Sequence, residues 1–139
     1  MSELVYADIE VGDEASFAKT ITEADVVNYA GLTGDFNPAH IDAEYAAQSM
    51  FKERISHGML VAGLISAVLG TRLPGPNSIY LGQELKFTAP VKIGDTVTAH
   101  ASVTEKRDDK RIIKLRTWVT NQRGETVIDG GAVVKKLGL

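Results

Sequence analysis

Two side chains that can exchange protons stand five positions apart in a turn-rich segment of this chain. Asp35 and His40 flank Asn37 and Pro38 within the stretch 33–42. Because proline fixes its own φ and favours extended backbone at the preceding residue, the segment is locally stiff. A carboxylate and an imidazole that share one water form a general acid–base pair. A turn with a surface histidine explains the same residues, and their types alone leave both interpretations open.

A second candidate lies at the start of the long apolar segment that follows, in Ile55-Ser-His-Gly-Met-Leu60. The first N–H groups of a helix have no partner inside the helix, and the helix dipole places partial positive charge there. Gly58 lets a substrate carbonyl approach the backbone closely, so its N–H is a candidate oxyanion donor. Tight packing at Gly58 and a helix cap by His57 explain the same residues without any chemistry.

Other common catalytic and cofactor motifs are absent from the sequence. It contains neither a Gly-x-Gly-x-x-Gly fingerprint nor a Gly-x-Ser-x-Gly elbow, and the P-loop spacing of residues 70–75 is followed by proline instead of lysine. His40, His57 and His100 do not form a His-x-x-x-His pair, and the chain has no cysteine. We therefore expect no metal site.

The first half of the chain is expected to be mainly helical around these candidates. A strand is predicted over 14–21, and Thr22-Glu-Ala-Asp25 is a near capping box that begins a helix ending at residues 31–34. Asp42 is expected to cap a short helix over 43–48. The stretch 35–40, with its candidate acid–base pair, is therefore expected to be a loop between two helices.

The segment 57–72 is the clearest helix in the sequence. Apolar residues occupy nearly every angular position along it, which predicts a buried helix with no face left for water. Pro74 and Pro76 end it. Beyond Asn77 the apolar residues alternate with polar ones, which is typical of half-buried antiparallel strands, with turns at 108–110 and 122–125. A buried helix followed by antiparallel strands predicts an α+β architecture, with a curved sheet wrapped around the helix. Several α+β folds fit this pattern.

Composition and charge narrow the range of partners and compartments. The 139 residues fit one domain spanning 1–139, and 44% hydrophobic with 24% charged residues is typical of a globular protein. A net charge of −3 without a basic face argues against nucleic acid. The longest apolar stretch, 58–70, is too short to span a membrane. The lack of cysteine and of a secretory signal predicts a cytoplasmic location.

Taken together, the two candidate segments resemble the hydratase-2 signature of the MaoC-like, (R)-specific enoyl-CoA hydratases. The matching residues are Asp35-Phe-Asn-Pro-Ala-His-Ile-Asp42, Tyr45-Ala46, Phe51, Ile55-Ser-His-Gly-Met-Leu60, Pro74-Gly75, Ser78-Ile-Tyr-Leu-Gly82, Phe87, Pro90-Val91 and Ile93-Gly-Asp95. The similarity extends from about Val11 to Val134. It fits the short, single-hotdog hydratases that feed polyhydroxyalkanoate synthesis.

The resemblance implies a single hotdog fold with a long central helix, and a homodimer whose two sheets join side by side. Asp35 and His40 occupy the positions of the family's catalytic pair, and Gly58 matches the residue whose N–H binds the thioester oxygen. Ser66 and Leu69 match positions that line the acyl pocket. The substrate would be an acyl-CoA thioester, and no cofactor is required because the thioester itself activates the double bond.

The implied reaction is a reversible syn addition of water to a 2-enoyl thioester. Asp35 and His40 would bind the water and remove a proton as it attacks C3, and the negative charge would move to the thioester oxygen. The Gly58 N–H would stabilise that charge, and a proton returned to C2 would complete the addition. Which member of the pair is base and which is acid stays open.

Three other interpretations remain beside the hydratase. A hotdog thioesterase would direct water at the thioester carbonyl, and a dehydratase would act on substrates attached to acyl-carrier protein. A non-catalytic acyl-CoA-binding module would not need the pair of Asp35 and His40, which favours an enzyme. Lys52, Arg54 and Arg72 are nearby candidates to bind the CoA phosphates.

Overall fold

Across residues 3–138, which the computed structural model describes, five antiparallel strands form one sheet that packs against a long helix. A short 3-10 helix, Tyr6–Asp8, comes first. The remaining elements in chain order are β1 (Glu14–Thr20), α1 (Glu23–Thr33), α2 (Pro38–Ile41), α3 (Ala43–Ala47), α4 (Gly58–Thr71), β2 (Ser78–Phe87), β3 (Thr96–Arg107), β4 (Ile112–Thr120) and β5 (Thr126–Lys136).

The strand order in the sheet is β1-β3-β4-β5-β2. Hairpins at the two predicted turns join β3 to β4 and β4 to β5, so these strands form the middle of the sheet. Along β3 the buried residues alternate with less buried ones, as the period of two predicts; the buried ones are Val97, Ala99, Ala101 and Val103. One face of the sheet therefore lines the core, and the other faces outward.

Helix α4 is the central helix, and its buried residues pack mainly on β3, with further contacts to β1 and β4. The predicted bounds 57–72 are confirmed to within one residue, since His57 and Arg72 are its caps. The prediction that no face is left for water is wrong. Residues spaced three or four apart are exposed along one stripe of the helix: Met59, Gly63, Ser66 and Gly70. This stripe is exposed because the sheet covers only one side of α4. The sequence pattern did not indicate it, because the glycines of the stripe were counted as apolar.

The start and end of α1 follow the sequence signals. Thr22 Oγ1 accepts a hydrogen bond from the Asp25 N–H at 3.1 Å, and Asp25 Oδ2 accepts one from the Thr22 N–H at 2.9 Å, so the predicted capping box is present. Gly34 ends the helix in the left-handed conformation, with φ 84°. The chain therefore turns sharply just before Asp35.

The predicted loop over 35–40 is wrong in its second half, because Pro38–Ile41 forms the short helix α2. Proline is favoured at the first position of a helix, and Asn37 Oδ1 caps this one by accepting the Ala39 N–H at 3.0 Å. Asp42 caps α3 as predicted. His40 consequently stands on a helical turn, whose backbone hydrogen bonds hold it more firmly than a loop would.

The two edges of the sheet differ in character. Arg72 donates a hydrogen bond to the Ser16 carbonyl on the β1 edge, and its guanidinium lies 5.3 Å from the Phe17 ring centroid. Strand β2 has no neighbour on its outer edge within residues 3–138, and it exposes several large apolar side chains: Ile79, Tyr80, Leu81 and Phe87. The pairing of β2 with β5 shifts between Tyr80 and Gly82. No helix in the described part of the chain is long and apolar enough to cross a membrane.

Candidate active site

The two segments singled out in the sequence meet at one cavity of about 330 Å³ between the α2 region, the start of α4 and the end of β2. Asp35, His40 and Gly58 all line it, and Phe87, Pro90 and Ile128 form much of its apolar wall. A carboxylate oxygen of Asp35 and a ring nitrogen each of His40 and His57 lie within 4.8 Å of one another. The structure thus brings the predicted pair and the predicted oxyanion donor to the same place.

Asp35 is positioned by the turn that ends α1. Its backbone N–H donates to Thr33 Oγ1 at 3.3 Å, and its own Oδ1 accepts the Asn37 N–H at 3.2 Å. These bonds leave the second carboxylate oxygen free of any hydrogen bond within the described residues. The carboxylate is therefore oriented by the backbone, yet it retains an oxygen that can bind a water in the cavity.

His40 is held through the other side of its ring. Its Nδ1 lies 2.8 Å from the Ile55 carbonyl oxygen, so Nδ1 carries the proton that this contact needs. In a neutral imidazole the lone pair is then on Nε2, which is the nitrogen free for acid–base chemistry. His40 is half-buried, and its carbonyl accepts a bond from Arg54 Nε at 2.6 Å.

The predicted CoA-binding cations are used unequally inside the fold. Arg54 Nη1 donates to both carboxylate oxygens of Glu23 at 2.9 Å. Because Arg54 Nε also bonds to the His40 carbonyl, Arg54 ties α2 to the start of α1. Arg72 is occupied at the β1 edge by Ser16. Lys52 is exposed, and the described residues show no ion pair for it. Two of the three cations thus serve the protein's own structure.

His57 is the functional candidate that sequence reasoning missed, since it was considered only as a helix cap. Its side chain makes no cap bond; instead Nε2 lies 2.9 Å from the Asp35 carbonyl oxygen. Its ring centroid is 4.0 Å from that of His40 and 4.7 Å from that of Tyr29. The side chain is only 2% exposed. Its place directly before Gly58 was the one available signal, because contacts across 22 positions cannot be read from spacing.

Gly58 is the first residue of α4, so its N–H belongs to the end of the helix that attracts negative charge. A methyl group at this position would lie 2.7 Å from Cδ1 and Cε1 of the Phe87 ring. Phe87 is half exposed and closes one side of the cavity. The absence of a side chain at Gly58 therefore serves packing as well as access to the backbone.

The two predicted acyl-pocket residues lie apart from this cavity. Ser66 is exposed and borders a second groove of about 460 Å³, together with Tyr80, Leu81 and Leu85. Leu69 is 2% exposed and packs in the hydrophobic core. Met59 borders both the cavity and the groove. The structure thus places Ser66 along the same helix as Gly58 but on a separate concave surface.

The Asp35, His40 and His57 cluster also has the residue types of a metal site. Each imidazole, however, has one nitrogen in a bond to a backbone carbonyl, Ile55 for His40 and Asp35 for His57. The remaining nitrogen of His57, Nδ1, is buried. The accessible groups are the Asp35 carboxylate and His40 Nε2, and this arrangement suits a shared water.

The fold and this arrangement match one protein family. The MaoC-like domain model matches residues 8–124, and the chain belongs to that family. Over 129 residues the chain is 55% identical to the (R)-specific enoyl-CoA hydratase of Rhodospirillum rubrum, covering 93% of this chain and 89% of the relative. The (R)-specific enoyl-CoA hydratase of Aeromonas caviae is 48% identical, with 91% of this chain and 95% of the relative covered.

Comparison with solved structures indicates the same family. The unliganded R-hydratase PhaJ1 of Pseudomonas aeruginosa superposes with a TM-score of 0.92 at 47% identity, covering 99% of this chain and 89% of that chain. The (R)-hydratase of A. caviae involved in PHA biosynthesis gives a TM-score of 0.91 at 47% identity, covering 94% and 98%. The predicted single hotdog fold of α+β class is confirmed by these neighbours.

Proposed function

We propose that this protein is an (R)-specific enoyl-CoA hydratase, which adds water reversibly to trans-2-enoyl-CoA to give (R)-3-hydroxyacyl-CoA. The observation that carries the proposal is that the Asp35 carboxylate, the His40 imidazole and the start of α4 at Gly58 line one cavity. Identity of 55% and 48% to (R)-specific enoyl-CoA hydratases supports the same chemistry. The reaction needs no cofactor, because the thioester polarises the double bond.

Asp35 and His40 are the proposed acid–base pair. The free carboxylate oxygen of Asp35 and Nε2 of His40 would hold one water between them, with His40 Nε2 as an acceptor because its Nδ1–H bonds to Ile55. The water oxygen bonds to C3 while the pair removes one of its protons. The pair then returns a proton to C2 from the same face, so the product gains H and OH across the double bond and the enzyme is unchanged.

The Gly58 N–H is the proposed donor to the thioester oxygen. Attack at C3 moves the electron pair of the double bond through C2 onto that oxygen. The N–H at the start of α4 then stabilises the enolate-like charge, and removal of one such donor costs about 3–4 kcal/mol in other enzymes. Phe87 and Ile128 give the cavity an apolar wall, and apolar surroundings strengthen an electrostatic interaction of this kind.

Ser66 and Leu69 are proposed to select the acyl chain. The chain would leave Gly58, pass Met59 and run along α4 toward Ser66, with the buried Leu69 limiting its depth. Leu69→Ala should then raise the ratio of kcat/KM for octenoyl-CoA over crotonyl-CoA. Val68→Ala, at an equally buried neighbour, is the control and should leave that ratio unchanged. An unchanged ratio in both variants would contradict the role of Leu69.

A homodimer is proposed, with a second copy of the chain pairing along β2. The free β2 edge and its exposed Ile79, Tyr80 and Leu81 support this arrangement, because an unpaired apolar edge strand is a ready surface for strand addition. Leu81→Lys should convert the dimer to monomer in analytical ultracentrifugation. Leu32→Lys, the same change at an exposed leucine of α1, should leave the dimer intact. A wild-type monomer would overturn this proposal.

A cytoplasmic location is also proposed. A chain of 139 residues without cysteine needs no oxidising compartment, which fits this location. Fractionation of cells that express the protein with a C-terminal tag should recover it with a cytoplasmic marker. Recovery with the periplasmic or membrane fraction would contradict the proposal.

The decisive experiment for the activity uses crotonyl-CoA and the purified protein. We expect loss of the enoyl-thioester absorbance, and a product that an (R)-specific, but not an (S)-specific, 3-hydroxyacyl-CoA dehydrogenase oxidises. Asp35→Asn should lower kcat by about 10²–10⁴-fold. Asp42→Asn is the matched control, since Asp42 caps α3 seven residues away and the amide oxygen still accepts those bonds. Release of free CoA instead would indicate a thioesterase, and inactivity of a folded sample would overturn the hydratase.

A further inference from the structure

His57 lies in the wall of the cavity and connects three parts of the site. Its Nε2 contacts the Asp35 carbonyl oxygen at 2.9 Å, and its ring packs against that of His40 at a centroid distance of 4.0 Å and a tilt of 35°. Its backbone is the N-cap of α4 and directly precedes Gly58. Because only 2% of the residue is exposed, nearly all of the imidazole surface is covered by its protein neighbours.

The hydrogen bonds of His57 define its protonation state. Nε2 must carry a proton, because the Asp35 carbonyl oxygen can only accept. Nδ1 is buried and has no hydrogen-bond partner among residues 3–138. A proton on Nδ1 would be an unsatisfied buried donor on a buried cation, which is costly, so the ring is the neutral Nε2–H tautomer. Tyr29, on the third side at 4.7 Å, adds an aromatic contact that holds the ring in place.

We propose that His57 is a positioning residue for the acid–base pair. The Nε2–H bond fixes the backbone of Asp35, and the tilted His57 ring packs against the imidazole of His40, so that both face the same water. The inference rests on the proposed hydratase function. Misplacement of catalytic groups by about 1 Å can cost on the order of 100-fold in rate, so the loss of this support should appear in kcat.

Two amide substitutions at His57 separate the effect of its Nε2 hydrogen bond from the effect of replacing the imidazole ring. In His57→Gln, the side-chain Nε2 reaches about as far as the imidazole Nε2 and can still donate to the Asp35 carbonyl. In His57→Asn, the amide stops near the place of Nδ1 and cannot reach that carbonyl. We expect kcat for crotonyl-CoA to fall about 100-fold in His57→Asn and about tenfold or less in His57→Gln. KM should change less than about threefold in both, since a residue that is only 2% exposed offers little surface to a substrate.

His100→Gln is the matched control, because His100 lies on β3, stacks on Trp118 and bonds to Thr120, away from the site. It should leave both kcat and KM at wild-type values. Thermal unfolding and circular dichroism identify any variant that fails to fold. If His57→Asn does not fold, the kcat of His57→Gln relative to the wild type is the test. ¹⁵N spectra of the wild-type protein should show His57 with a protonated Nε2 and an unprotonated Nδ1.

The outcomes distinguish this inference from the proposed function. A wild-type protein that does not hydrate enoyl-CoA defeats the proposed function, and the inference with it. An active wild type whose Asn and Gln variants both keep kcat within about threefold defeats only the inference. Equal losses in both variants, or a His57 protonated at Nδ1, likewise overturn it, because the bond from Nε2 would then not be the cause.

Discussion

His40 Nδ1 lies 2.8 Å from the carbonyl oxygen of Ile55, so the imidazole is anchored to the segment that leads into α4. The backbone N–H of Ile55 also donates to the Ala39 carbonyl at 3.2 Å. Ile55 therefore holds both the backbone of α2 and the His40 ring. Ile55 is itself held by a β-bridge to Lys92. The orientation of the proposed acid–base group therefore depends on a strand-like contact 15 positions further along the chain.

His40→Asn tests which ring nitrogen does the chemistry. The Asn amide nitrogen takes about the place of Nδ1 and can keep the bond to Ile55, but no atom replaces Nε2. We expect an unfolding temperature near that of the wild type and a kcat lower by about 10²–10⁴-fold on crotonyl-CoA. A variant that retains most of the wild-type kcat would show that Nε2 takes no part in the reaction.

Gly58→Ala tests the close contact between α4 and the end of β2. The new methyl group would meet the Phe87 ring at 2.7 Å, so the ring must move. We expect a loss of about 1–3 kcal/mol in the free energy of unfolding in urea, together with a lower kcat/KM. Adding Phe87→Leu should recover most of the stability. If the single variant is as stable as the wild type, the ring moves aside at no cost and the packing argument fails.

Gly130→Ala tests the pairing of β2 with β5. A methyl group there would lie 1.9 Å from the Glu84 carbonyl oxygen, which belongs to the backbone and cannot rotate away. We expect a loss of about 3 kcal/mol or more in unfolding free energy. Gly31→Ala in α1 is the control, because no atom lies within 4 Å of its methyl position, and it should gain about 0.5–1 kcal/mol. Similar stabilities for the two variants would contradict the predicted clash.

Asp25→Asn tests whether the Asp25 charge stabilises the start of α1, through the pH dependence of the unfolding free energy. Burial acts to raise the pKa of Asp25, but the hydrogen bonds from Lys19 and Thr22 and the Lys19 charge outweigh it and hold the pKa below its usual 3.8. A carboxyl whose folded pKa is depressed adds stability above its unfolded pKa and loses it as pH falls through the folded value.

The wild type should therefore exceed Asp25→Asn in unfolding free energy by about 0.3–1 kcal/mol near pH 7. The difference should shrink as the pH falls below about 4 and vanish once Asp25 is protonated in both states. Urea unfolding from pH 7 down to pH 2 measures this trend. A difference that stays constant over the whole range would exclude the charge as its cause, since Asn keeps the cap acceptor.

Local sequence signals predicted most elements and their ends. The capping box of Thr22 and Asp25, the cap at Asp42 and the period of two along β3 are interactions between near neighbours in the chain, and all were observed. The turn over Pro38–Ile41 was missed because a short helix with a proline at its start looks like a loop. The exposed stripe of α4 was missed because the side of the helix that the sheet covers is set by tertiary packing and not by the sequence pattern.

The sequence by itself determined the class of fold, the family signature and the residue types at Asp35, His40 and Gly58, because each depends on local spacing or on motif order. Only the tertiary structure decided that His57 Nε2 bonds to the Asp35 carbonyl and that the Phe87 ring closes over Gly58. These contacts join residues 22 and 29 positions apart. Periodicity and caps are set by atoms within about one helical turn, whereas contacts at such separations exist only after the sheet and α4 have packed together.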